Sequence, residues 1–268
     1  LQLVTIYSNL DRFGVSGAYL EGLKWIEMLE ANHSLSQKEE WQVNEMKALL
    51  LNERGNQDEF LPIWYKLLKQ YREADRPEDV GKCLLTIANH FIMLEDYENA
   101  LPLYKEAYQL ALEHKSIELQ QVSGIMLIKY LCGARYYSES LEYYNKIKPE
   151  IAFNPSMQNE VVKSYMELNK PDSARIYLAA RLLSERGDKI VLNCMMAETY
   201  ITEELEDSAF VFLDRPMKSY KERAKNYQKK GKEPILPNCF LSPCYSFADL
   251  LWKKGKIQQA SQYYMIVE

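Results

Sequence analysis

What limits this chain most is a spacing that returns. From Leu84 onward the residues run Leu84, Ile87-Ala88 and Phe91, then Asp96-Tyr97, Ala100, Tyr104 and Ala107. Large residues three and four apart put an apolar stripe on one face of a helix. Leu94-Glu95-Asp96 then supplies turn chemistry before a second stripe begins. Small residues at Ala88 and Ala100 let two helix backbones cross closely, and the aromatic residues fill the wedge towards the next pair. One such pair cannot bury its apolar face alone, so recurrence of the spacing predicts a stack of pairs.

The spacing recurs through the chain. The small residue of the second helix falls at Gly22, Phe60, Ala100, Ser140, Ala174, Ala209 and Ala260, with Phe60 the one large exception. The large position of the first helix reads Phe13, Leu51, Phe91, Leu131, Tyr165, Tyr200 and Leu251. That of the second helix reads Ile26, Trp64, Tyr104, Tyr144, Leu178, Leu213 and Tyr264. Turn residues fall between the stripes at Gly14-Val15-Ser16-Gly17, Arg54-Gly55-Asn56-Gln57, Asn169-Lys170-Pro171-Asp172 and Lys254-Gly255-Lys256. Pro62 and Pro102 share one repeat position, early in a second helix, where a missing N–H costs least.

These residues resemble the tetratricopeptide repeat (TPR) family over almost the whole chain, most closely in the third and seventh repeats. The resemblance implies an all-α fold, a right-handed superhelical solenoid of about seven helix-turn-helix repeats. They span approximately 3–36, 37–77, 81–116, 121–150, 155–187, 190–215 and 241–268, with one extra helix before the last. More loosely, the long repeats and 20 tyrosines resemble the sensory TPR region of bacterial membrane-anchored regulators. On that basis the chain is expected to be the partner-sensing piece of a longer protein. Its location is expected to be periplasmic if that looser resemblance holds and cytoplasmic otherwise.

The segment between Pro216 and Cys239 breaks the pattern. It reads as a basic inserted helix and loop over 217–239, with Pro234 and Pro237 in the loop. From Lys218 to Glu233 it carries seven basic and two acidic residues, and Lys218, Lys221, Arg223, Lys225, Lys229 and Lys230 form its candidate basic patch. Most lysine-rich helices are simply solvated, and that reading comes first here; an electrostatic nucleic-acid contact is the alternative. Overall the net charge is −5, which gives no general nucleic-acid footprint. No apolar run approaches the roughly 20 residues of a membrane span, so no membrane contact is expected from this segment.

Catalytic patterns are missing. His33, His90 and His114 are far apart and form no metal-binding spacing. His90 reads as a satisfied packing residue. Five cysteines at wide spacing make no disulfide framework, and Cys239 with Cys244 has no second ligand pair beside it. There is no nucleophile elbow and no phosphate loop. The chain is therefore expected to be no enzyme, to need no cofactor or metal, and to take no small-molecule substrate.

In the TPR family the concave face, mostly from first helices, receives a peptide or protein. Carried onto this sequence, that face comprises Leu85, Asn89, Ile92 and Met93, then Val122, Ile125, Lys129 and Cys132, then Asn159, Lys163 and Met166. The partner-binding groove is assigned to Leu85, Asn89, Ile92, Ile125, Lys129, Asn159 and Lys163. An Asn amide can both donate to and accept from an extended backbone, and a Lys offers a point charge to a carboxylate. Asn89 matches one position of the chaperone-binding carboxylate clamp, but Leu85, Ile125 and Met126 depart from it, so that subclass is not assigned. The competing expectation is an assembly adaptor that forms a homodimer through an array end, where Tyr263, Tyr264 and Ile266 lie on the last helix.

Overall fold

The computed structural model describes residues 17–32, 34–53, 57–151, 157–184, 188–229 and 241–267. Among these the chain is wholly helical. It comprises α1 (Ala18–Asn32), α2 (Gln37–Glu53), α3 (Gln57–Glu73), α4 (Pro77–Met93), α5 (Tyr97–Glu113), α6 (Ile117–Gly133) and α7 (Tyr137–Ile151). It continues with α8 (Gln158–Glu167), α9 (Pro171–Leu183), α10 (Lys189–Ile201), α11 (Glu206–Lys229), α12 (Leu241–Lys253) and α13 (Ile257–Val267). No described helix is long and apolar enough to cross a membrane. Phe13, His33, Gly55, Lys230, Pro234, Pro237 and Cys239 lie outside the described residues. The chain divides into two compact units, Leu1–Tyr130 and Leu131–Glu268, with the division inside α6.

From α2 to α6 every helix is 17 residues long, and the links from α3 to α7 are three residues each. Each link is closed by main-chain atoms in the same way. After α4, the Glu95 N–H bonds the Ile92 carbonyl at 2.9 Å and the Asp96 N–H bonds the Phe91 carbonyl at 2.9 Å. This Schellman pair satisfies the last carbonyls of a helix and requires one residue in the left-handed region. That residue is Asp75, Glu95, Lys115 or Arg135 in the regular stretch, Asn169 and Glu204 further on, with φ from 52° to 67°, and Gly255 at 72°. The same two bonds recur at all seven. Asp96 then serves twice: it completes the turn, and its side chain accepts the Asn99 N–H at 3.1 Å as the N-cap of α5.

Six of those seven residues have a Cβ in a region that costs an L-residue roughly 1–2 kcal/mol. Glycine there escapes that cost but gives up roughly 0.4–1 kcal/mol through the freer unfolded chain. Glu95→Gly is therefore expected to stabilise the first unit by about 0.5–1 kcal/mol, and Glu95→Ala to leave it unchanged. Urea unfolding followed by tryptophan fluorescence measures this, and equal midpoints for the two variants would contradict it.

Side-chain packing follows the spacing read from the sequence. Phe60, Ala100, Ser140, Ala174, Ala209 and Ala260 are all 0–1% exposed. On the first helices Ala48, Ala88, Ala197 and Ala248 are fully buried where backbones cross. In the first unit Trp41, Leu51, Trp64, Leu67, Tyr71, Leu84 and Ile87 form one core across α2, α3 and α4. In the second, Leu213, Met217, Tyr220, Phe247, Leu251 and Tyr263 form another across α11, α12 and α13.

Two expectations change. Residues 217–229 are helical, but they continue α11 instead of starting a new helix, and Pro216 lies inside it. A proline ring costs one helical bond. Here Leu213, Met217 and Tyr220 on either side are all buried against α12 and α13, which holds the helix together through the gap. Pro62 and Pro102 are each the sixth residue of their helix, beyond the first turn, and both are exposed.

Candidate functional site

In the first unit, α4 and α6 lie side by side with a cleft of about 190 Å³ between their N-terminal halves. Glu78, Lys82 and Leu85 line it from α4, and Ser116, Glu118, Leu119 and Val122 from the α6 side. The helices come close because Gly81 has no side chain: a Cβ there would stand 2.3 Å from Leu119 Cδ2. Leu119 thus forms the floor, and Leu85 with Val122 gives apolar walls.

Below the cleft the face carries Asn89, Ile92 and Met93 on α4, and Ile125 and Lys129 on α6. Asn89 and Lys129 are exposed, Leu85, Ile92 and Ile125 are half-buried, and Met93 is 73% exposed. The position of Asn89 is set from behind. The Tyr104 hydroxyl of α5 donates to Asn89 Oδ1 at 2.5 Å, which leaves the amide N–H groups to point elsewhere. Tyr104 is fully buried and stacks on Tyr130, with centroids 5.3 Å apart. Burial, with Tyr130 adding to it, pushes the Tyr104 hydroxyl far above the usual phenol range, so it remains a donor. Lys129 Nζ lies 5.3 Å from the Tyr130 ring centroid, a cation–π placement. Asn89 and Lys129 are therefore two ends of one aromatic-backed assembly.

The second unit holds the remaining groove candidates on α8, where Asn159 and Lys163 are both exposed. Cys132 is a correction. It is 2% exposed and belongs to the core, where burial raises its thiol pKa. A position counted along a repeat cannot distinguish the edge of a face from the seam beneath it.

A second cleft, of about 240 Å³, lies in that unit between α10 and α12. Ile201 and Leu250 form its apolar part, Glu204, Glu206 and Asp249 its acidic part, and Trp252 is 53% exposed at its side. Lys253 pairs with Glu206, and the Tyr264 hydroxyl donates to Asp249. Nothing in the sequence pattern pointed to this cleft. The exposed tryptophan on a first helix was the available signal.

The basic patch is partly tied down. Lys218 pairs with Asp214 at 2.7 Å, and Lys221 bonds Gln262 and lies over the Tyr263 ring. The side chains of Arg223, Lys225 and Lys229, and all of Lys230, lie outside the described residues. The four described cysteines are buried. Burial pushes Cys83 up to about 12 and Cys244 up to about 11, so neither is a thiolate at neutral pH. Among the described residues no group of three His, Cys, Asp or Glu could hold a metal ion. His90 is buried as expected, but its Nε2 has no hydrogen-bond partner, so it is not the satisfied histidine that the sequence suggested.

The helix pairs, their shared turns and the face of first helices define a TPR-like helical-repeat protein. No family model matches the sequence, and no curated protein matches it. Among solved structures, the apo form of RapI is 13% identical and superposes with a TM-score of 0.58, covering 98% of this chain and 96% of RapI. Aspartyl phosphate phosphatase F from Bacillus subtilis is 14% identical with a TM-score of 0.52, and 93% of this chain covers 64% of that protein. At these identities the likeness is one of fold.

Proposed function

We propose that the chain is a non-catalytic module that captures a peptide or protein segment on the α4–α6 face of its first unit. The observation that carries this is the Leu85–Val122 cleft continuing into Asn89, Ile125 and Lys129. Apolar walls accept side chains, and outward amide and ammonium groups meet the backbone and acidic groups of an extended segment. Hydrogen bonds to charged groups contribute roughly 1.5–3 kcal/mol when sheltered from water. Lys163 and Asn159 hold the corresponding repeat positions on α8 of the second unit. As part of a larger signalling protein, such a module would sense its partner and pass that state on. The phosphatase activity in the name of one structural neighbour is not carried over, because a shared fold does not fix chemistry, and the buried described thiols offer no activated nucleophile.

A photo-crosslinking residue at Val122, combined with affinity capture, tests the site. Wild type should yield a crosslinked partner. Leu85→Arg with Val122→Arg should lose it while the circular-dichroism melt falls only modestly, since Val122 is 39% exposed and Leu85 lies at the edge of the core rather than inside it. Lys129→Glu with Lys163→Glu should weaken capture further towards acidic partners. Retention of the same partners by both double variants would remove this face as the binding site.

A further inference from the structure

Within the first unit, the His90 ring is sealed at the contact between α3 and α4. It is 5% exposed, its centroid is 4.7 Å from that of Phe60 and 6.1 Å from that of Phe91, and its Nε2 makes no hydrogen bond. One turn away stand Thr86, Ile87 and Met93 on α4 and Leu94 just past its end, none of them charged. In the adjoining core the titratable groups are Tyr71 and Cys83, both held neutral by burial, with Glu45 accepting the Tyr71 hydroxyl at 2.7 Å. Among the described residues no carboxylate, lysine or arginine acts on the His90 ring, and burial alone lowers its pKa from the usual 6.5. The Phe60 ring would attract an imidazolium, but a ring face replaces only a small part of the hydration that a buried cation loses.

We propose that His90 makes the α3–α4 contact acid-labile: a protonated ring cannot remain in this packing, so acid opens the contact and loosens α4. The direction follows from linkage. Above the ordinary histidine value the ring is neutral whether the contact is open or closed, and nothing changes. Below it the open form takes up a proton and the closed form does not, so the closed form loses ground until its own lower pKa is reached. Each pH unit across that window shifts the balance by up to about tenfold. Because α4 carries Leu85, Asn89 and Ile92, acid would also release what that face holds, and this last step rests on the function proposed above.

Hydrogen exchange of the chain alone, corrected for intrinsic rates, tests the device from about pH 7 to about pH 5.5. In wild type the protection of α4 amides should fall relative to α12, by up to about tenfold. In His90→Phe, which keeps an aromatic ring against Phe60, the two helices should keep their ratio. An equal fall in both proteins, or none in wild type, overturns the proposal. If His90→Phe fails to fold, the His90 ring proton in wild-type NMR decides: titration well below 6.5 supports the proposal, and titration at or above it overturns it. These readouts involve no partner. An α4 that opens in acid while crosslinking at Val122 captures nothing would refute the binding face and leave the acid response intact.

Discussion

Phe60→Ala should destabilise the first unit by about 3–5 kcal/mol, the usual cost of deleting a buried aromatic ring. The result would be telling because alanine is the residue the repeat pattern calls for at that position. Four of the six other copies are alanine, and in the described repeats all are buried. In the second repeat, however, the core has been built around a phenylalanine that is 1% exposed and packs edge-on to Trp64 at 6.3 Å and against His90. Removing it leaves a cavity between α3 and α4 that neighbouring helices, fixed by three-residue links, cannot close. Three of the four tryptophans, Trp25, Trp41 and Trp64, lie in the first unit, so urea unfolding followed by fluorescence reports on it directly. A loss below about 1 kcal/mol would mean that α3 shifts to the close crossing of the other repeats and that Phe60 is dispensable.

Tyr104 should be the most costly tyrosine to truncate. It is 0% exposed, stacked on Tyr130, and bonded to Asn89, so Tyr104→Ala removes ring volume, a stacking partner and a donor together. The expected loss is again about 3–5 kcal/mol. Tyr104→Phe separates the parts: it keeps the ring and should lose about 0.5–1.5 kcal/mol for the hydroxyl alone. The conservative variant also bears on the site, because Asn89 would lose the contact that orients its amide. Capture should weaken in Tyr104→Phe even where the melt scarcely moves. If Tyr104→Phe matches wild type in both, the hydroxyl positions nothing.

Much of this fold was legible, because what holds helix pairs together is written in side-chain size. Ala88 and Ala100 must be small for backbones to cross, and Leu131 and Leu178 must be large to fill the space between pairs. The turns were legible only as places. Their residues, Glu95, Lys115, Arg135 and Glu204 among them, are poor turn formers by type, since the closure uses amide and carbonyl groups that every residue possesses. Pro216 was read as a boundary because the packing that carries α11 past it comes from α12 and α13, which lie far along the chain. The α10–α12 cleft was hidden for the same reason: Glu204 and Trp252 acquire a common environment only when their helices lie side by side. For the α4–α6 face, the sequence indicated most of the outward residues, Cys132 excepted, but not the depth of the cleft, which depends on Gly81 admitting Leu119.

The seven identical helix closures bear on how such chains diverge. A joint made from main-chain atoms survives replacement of nearly every side chain that passes through it, so mutations accumulate at the joints without disturbing the angle between the helices they connect. Selection then acts on the thin interior seams and on whatever the outer faces touch, and the remainder is free to drift. Chains of this architecture can therefore share few residues and stay superposable, as the 13% identity with RapI across 98% of the chain illustrates.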